Sequence, residues 1–149
     1  MKVVQFLALV FAALALAPAV AHLASLPNKI DLAQTDYFIS QNVYRGWALF
    51  GVALIGALLS ELALVIALRA QRTPLLCAGF ALLCQIGTLA IFFAFTFPTN
   101  KATDNWTSIP ANWEQLRRQW EISHAVNAVI ALVGFCALVL SVLLTHERA

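Results

Sequence analysis

Long apolar runs alternate with short polar stretches along the chain. Four runs, at about residues 2–21, 46–68, 75–97 and 125–145, are long enough to cross a bilayer. The polar stretches between them are short, so the sequence predicts one integral membrane domain over residues 1–149: an all-α, antiparallel four-helix transmembrane bundle. Within 110–131 the apolar pattern changes character. Trp113, Arg117, Trp120, His124, Asn127 and Ala131 recur at intervals of four and three, which places them along one face of a helix. A packing seam would be aliphatic. This stripe carries two indoles, a guanidinium, an imidazole and a carboxamide into an apolar run, where such groups need partners. An interfacial belt is the alternative for Trp113 and Trp120, with Arg117 snorkelling beside them.

The first run has two readings. Lys2, the apolar stretch after it, Pro18 and Ala19-Val20-Ala21 fit a secretory signal with an Ala-x-Ala cleavage site. Cleavage there would leave His22 as a metal-chelating N-terminus. Retention as a first membrane helix is preferred, because three helices would enclose the polar stripe poorly. After it, Leu23, Leu26, Ile30, Ala33 and Tyr37 repeat at three and four, suggesting a surface amphipathic segment broken at Pro27. Tyr44, Arg45 and Trp47 then form an interfacial approach to the second run.

That run contains Glu61, expected to face the bundle interior as a neutral carboxyl. A hairpin through residues 69–74 would bring it level with Gln85. A Glu61–Gln85 hydrogen bond is then the structural reading, and a proton relay the functional one. Pro98 is expected to stop the third helix. Asn112 and Gln115 have the spacing of a capping box, and Glu114–Arg118 and Arg117–Glu121 that of ion pairs one turn apart. Asn105-Trp106-Thr107, formally a glycosylation sequon, reads as loop packing. Ser141, low on the last helix, reads as having no role.

Composition narrows the picture without redirecting it. Apolar residues make up 62% of the chain and charged ones 11%, which rules out a soluble globular domain. A net charge of +2 without a basic run gives no footprint for nucleic acid. Cys77, Cys84 and Cys136 lack CxxC spacing and read as reduced packing residues. Basic residues do not settle orientation. Lys2, Arg69, Arg72 and Arg148 would share one side with Glu147, and five basic residues lie on the other. The export-signal-like start and the all-basic 69–74 loop favour both termini in the cytoplasm, with the polar segments on the non-cytoplasmic face of the cell (inner) membrane.

Folding the runs up and down brings His22, Tyr44, Trp47, Asn100, Trp120 and His124 to that face. The set suits a planar, weakly acidic, lipophilic small molecule. An imidazole takes a phenolic proton, a carboxamide holds an oxyanion and indoles stack. Glu121-x-x-His124 has the spacing used in di-iron bundles, but the second copy such a site needs is missing. No cofactor is expected. A single metal at His22, His124 and Glu121 is the one arrangement the ligand types would permit.

Thr96-Phe97-Pro98-Thr99-Asn100, Asn112-Trp113-Glu114, Leu116-Arg117, Trp120-Glu121 and His124 resemble the pattern of the anthrone-oxygenase-like family of small four-span membrane proteins. His22-Leu23, Leu26-Pro27-Asn28-Lys29 and Tyr44-Arg45-Gly46-Trp47 resemble a bacterial branch of it. The resemblance covers nearly the whole chain. It implies a retained first helix and, by the activity of a few members, oxidation of an aromatic substrate by dioxygen. Asn100, Trp113, Arg117, Trp120 and His124 match the family's polar motif. The expected roles are His124 as base, with Asn100 and Arg117 holding the oxyanion. His22, Tyr44, Trp47, Trp113, Trp120 and Asn127 would line the substrate site. The other reading is a non-catalytic membrane module that binds a lipid, a quinone or a partner protein. Transport through Glu61 is the weakest reading, since no second charged residue lies in the core. Membrane lipids surround the chain in every case, and homo-oligomers are compatible with it.

Overall fold

A computed structural model describes residues 1–146, and Glu147 and Arg148 of the orientation argument lie outside the described residues. The described chain is all-helical. Its elements are α1 (Lys2–Lys29), α2 (Gln34–Ser40), α3 (Phe50–Ala67), α4 (Arg72–Ile91), α5 (Phe97–Ala102) and α6 (Trp113–Leu143). Single turns at Gln41–Tyr44 and Trp47–Leu49 lead into α3. Four stretches are long and apolar enough to cross a membrane: Lys2–Lys29, Trp47–Ala67, Arg72–Ala102 and Trp113–Leu143. The outward faces keep large apolar side chains such as Val3, Val52, Leu83 and Leu143 exposed, as lipid contact requires. The protein is therefore a multi-pass membrane protein.

Small residues set the packing at the end that holds the helix termini. Ala8, Ala12, Ala78, Ala81 and Ala137 are buried there with Leu64, Leu68 and Leu138. Without a water-driven force between membrane helices, close backbone approach and dispersion hold them together. Gly134 marks a close approach of α6 to α4, since a Cβ there would stand 2.8 Å from the Cβ of Cys84. Ser141 is not the idle residue expected. It is fully buried and donates to the Pro74 carbonyl at 2.8 Å, tying α6 to the start of α4.

Prolines interrupt the helices less than their type suggests. Neither Pro18 nor Pro27 breaks α1, which continues to Lys29 as one helix instead of passing into a surface segment. Neighbouring helices tolerate a proline by re-satisfying the freed groups. Pro98 does not stop the third helix either. A π turn at Phe92–Thr96 precedes it, and the helix resumes as α5. The Phe95 carbonyl in that turn accepts bonds from Gln119 Nε2 and Thr99 Oγ1, each at 2.9 Å, which ties α6 to the helix beside the proline. The loop beyond α5 turns through three consecutive left-handed residues, Asp104, Asn105 and Trp106. Trp106 is buried there, in keeping with loop packing.

The expected local bonds at the head of α6 are not formed. Asn112 precedes the helix without a side-chain cap, and Gln115 bonds its carbonyl through the backbone alone. Among the described residues, neither Glu114–Arg118 nor Arg117–Glu121 forms an ion pair. Both inner members are claimed by other elements: Arg117 Nη1 donates to the Leu32 carbonyl at 2.6 Å, and Glu121 Oε1 stands 3.0 Å from Lys29 Nζ. Tertiary partners in a dry interior outcompete exposed pairs worth a few tenths of a kcal/mol.

Candidate functional site

α1, α3, α4 and α6 enclose a cavity of about 730 Å³. Its polar end lies where α1 and α6 carry His22 and His124. The two imidazoles stack with centroids 4.0 Å apart and planes 16° from parallel. Tyr44 stacks on the other face of the pair at 4.4 Å from His22, and Trp120 meets both histidines edge-on at 4.9 and 4.4 Å. Trp47 closes on His22 from the turn before α3 at 5.3 Å. The unusual spacing of α6 produces this. Trp120, His124 and Asn127 follow one another down a single face. Across from them, the π turn lets the α4–α5 helix present Thr96 and Asn100. Thr96 Oγ1 bonds Ser123 Oγ at 2.9 Å, and Trp120 Nε1 donates to Asn100 Oδ1 at 2.9 Å. With its oxygen so engaged, Asn100 keeps its amide N–H groups for another acceptor.

The cavity unites seven of the expected site residues: His22, Tyr44, Trp47, Asn100, Trp120, His124 and Asn127. Arg117 and Trp113 are excluded. The Arg117 guanidinium lies over the Trp113 ring at 4.7 Å and the Tyr37 ring at 5.3 Å, and its bond to the Leu32 carbonyl points it at the α1–α2 connection. Trp113 packs on Tyr37 and Phe38 instead of on the cavity. Both residues clamp the outer segment. Trp120 is 4% exposed, which removes it from an interfacial belt.

A three-ligand metal site at His22, His124 and Glu121 does not fit. Among the described residues, no group of three or more His, Cys, Asp or Glu stands close enough to hold a metal ion. The geometry gives the reason. Imidazole lone pairs lie in the ring plane, so two face-stacked rings direct them in parallel instead of converging on one ion. Glu121 meanwhile is fully buried and committed to Lys29 and to Tyr37, whose hydroxyl donates to Oε1 at 3.1 Å.

Sequence reasoning missed the network behind the cavity. Lys29 Nζ donates to Tyr44 Oη at 2.6 Å and pairs with Glu121, linking α1, the turn before α3 and α6. Lys29 is 6% exposed although it sits in a polar-looking stretch. Pro27, read as a helix breaker, hid its position on the inner face of α1. Tyr37 completes the network, and burial followed by the Glu121 charge pushes its ionisation well above the ordinary tyrosine range. It therefore remains a donor at any ordinary pH.

The deeper half of the cavity is lined by aliphatic and small residues, with Glu61 and Gln85 among them. The expected Glu61–Gln85 hydrogen bond is not present among the described residues, and Glu61 Oε2 is buried without a partner. Two phenylalanines of the wall, Phe50 on α3 and Phe93 in the π turn, are also 37% and 61% exposed. The cavity thus reaches the apolar outer surface beside them. Cys77, Cys84 and Cys136 are free thiols. Comparison with protein-family models, curated proteins and solved structures gives no match to this chain.

Proposed function

We propose that the cavity binds a lipophilic phenol or quinol and passes its electrons to dioxygen, the chemistry implied by the resemblance to the anthrone-oxygenase-like family. The observation that carries this reading is the ordered stack Tyr44–His22–His124 beside Trp120, at one polar end of a largely apolar cavity. A planar ring finds aromatic faces there, and its hydroxyl finds an imidazole. His124 takes the phenolic proton, and the free amide N–H of Asn100 holds the resulting oxyanion. For a quinol, two electrons and two protons pass to dioxygen, leaving a quinone and hydrogen peroxide.

The same reading puts the protein in the cell (inner) membrane as a single domain, with both termini and the Arg69–Arg72 connection cytoplasmic. α1 belongs to the mature chain on this view. Ala8 and Ala12 sit in the core, and Phe11 fills the space over Gly56. Oxygen uptake by the purified protein with a lipophilic hydroquinone tests the enzyme reading, and uptake unchanged in His124→Ala would remove His124 as the base. The second reading, a non-catalytic module for a lipid or quinone, is favoured by the long apolar half of the cavity. A co-purified lipophile identified by mass spectrometry, with no oxygen consumed, would decide for it.

A further inference from the structure

The cavity has two polar ends, and only one is used by the chemistry above. Glu61 lies eleven residues below Phe50 on α3, and both side chains line the cavity. At about 1.5 Å per residue, the cavity runs roughly 16 Å along that helix. At the Glu61 end it is walled by Ala81, Cys84, Gln85 and Gly134, where a Cβ added at Gly134 of α6 would stand 2.8 Å from the Cβ of Cys84 on α4. Glu61 is 2% exposed and Gln85 8%. The Oε2 atom of Glu61 has no partner among the described residues, and Arg45, the basic residue among those lining the cavity, stands beside Tyr44 and Trp47 at the other end. A buried carboxyl left unsatisfied costs about 1–3 kcal/mol or more, so a purely structural residue here would be better replaced by leucine. Gln85 adds a second buried hydrogen-bonding side chain at the same level, while the wall between them and Asn127 is mainly apolar.

From this we infer a second binding subsite at Glu61 and Gln85, which takes a neutral hydroxyl or carbonyl at the far end of an elongated ligand. The inference rests on the phenol or quinol reading of the histidine end. It adds that the ligand is polar at both ends, with an apolar section between them. A compact monophenol would fill the outer half alone and leave Glu61 unpaired. A ligand with a terminal hydroxyl would reach both.

The test compares two probes, para-nonylphenol and the same compound with a hydroxyl at the chain end, binding to the detergent-purified full chain. The wild-type protein should bind the two-ended probe roughly tenfold more tightly, the worth of about one buried hydrogen bond. Glu61→Leu should erase that preference, and Glu61→Gln should keep it. Should Glu61→Leu fail to fold, Gln85→Leu makes the same comparison. Equal binding of both probes by the wild type overturns the subsite and leaves the histidine end standing. A preference that survives Glu61→Leu overturns it too. Loss of the preference in Glu61→Gln as well as Glu61→Leu overturns the neutral hydrogen bond, because a hydroxyl that a carboxamide cannot hold is bound by the ionised carboxylate. Binding of neither probe overturns the phenol reading and this inference with it.

Discussion

His124 is held by rings alone. It stacks on His22 and meets the Trp120 edge, and among the described residues it makes no hydrogen bond to another helix. Its removal therefore strands no buried partner. His124→Ala should keep its thermal stability in detergent to within about 1 kcal/mol while turnover falls about 10²-fold or more. A variant that loses its fold along with its activity would mark the imidazole as structural. Tyr37 should behave in the opposite way. Tyr37→Phe leaves Glu121 with one donor fewer in a dry interior and should cost about 1–3 kcal/mol, read as a lower melting temperature, without direct loss of the cavity. Because the Tyr37 ionisation is raised in the folded state, the unfolded chain holds fewer protons once the pH passes about 10, and stability falls from there upward. The Phe variant should lose less stability between pH 9 and about 11 than the wild type. An identical alkaline slope in both would place the sensitivity elsewhere. At this scale the sequence was partly legible. The α6 stripe pointed to Trp120, His124 and Asn127 because helical spacing fixes a face. It misplaced Arg117 because spacing says nothing of what else competes for a guanidinium, here the Leu32 carbonyl.

Among the helices, contact distance at glycine separates tolerated from damaging changes. Gly134→Ala would force its Cβ onto that of Cys84, and neither atom sits on a flexible arm, so α4 and α6 must part. A loss of about 1–3 kcal/mol is expected, with some distortion of the deep cavity. Gly79→Ala, on the same α4 helix with nothing within 4 Å, should be neutral or slightly stabilising. Equal melting temperatures for the two variants would show that the α4–α6 contact yields freely. The lengths of the helices were harder to foresee than their number. Pro27 and Pro98 carry the local rule that proline ends a helix, yet α1 and the α4–α5 helix pass through both. Groups distant in sequence brace these helices, such as Gln119 donating to the Phe95 carbonyl near Pro98, and no local pattern announces them. The four apolar runs needed no such help, since twenty apolar residues in a row have few other uses.

For the molecule as a whole, topology is the measurable quantity. A cysteine at Thr73 should be shielded from a membrane-impermeant thiol reagent added to intact cells, and one at Ser108 should react. The reverse labelling would invert the bundle, and an intact mass beginning at His22 would discard the first helix. A further consequence follows from Phe50 and Phe93, which line the cavity and also face outward. A ligand of the proposed kind that enters beside them would arrive from the hydrocarbon, and its occupancy would then follow its mole fraction in the bilayer, not its concentration in water. In reconstituted vesicles, adding empty lipid at a fixed total amount of ligand should raise the apparent KM in proportion to the lipid. Two ligands of equal intrinsic fit but different oil–water partition should reach the protein unequally, the greasier one first. A KM indifferent to lipid content would mean that the door is on the water side.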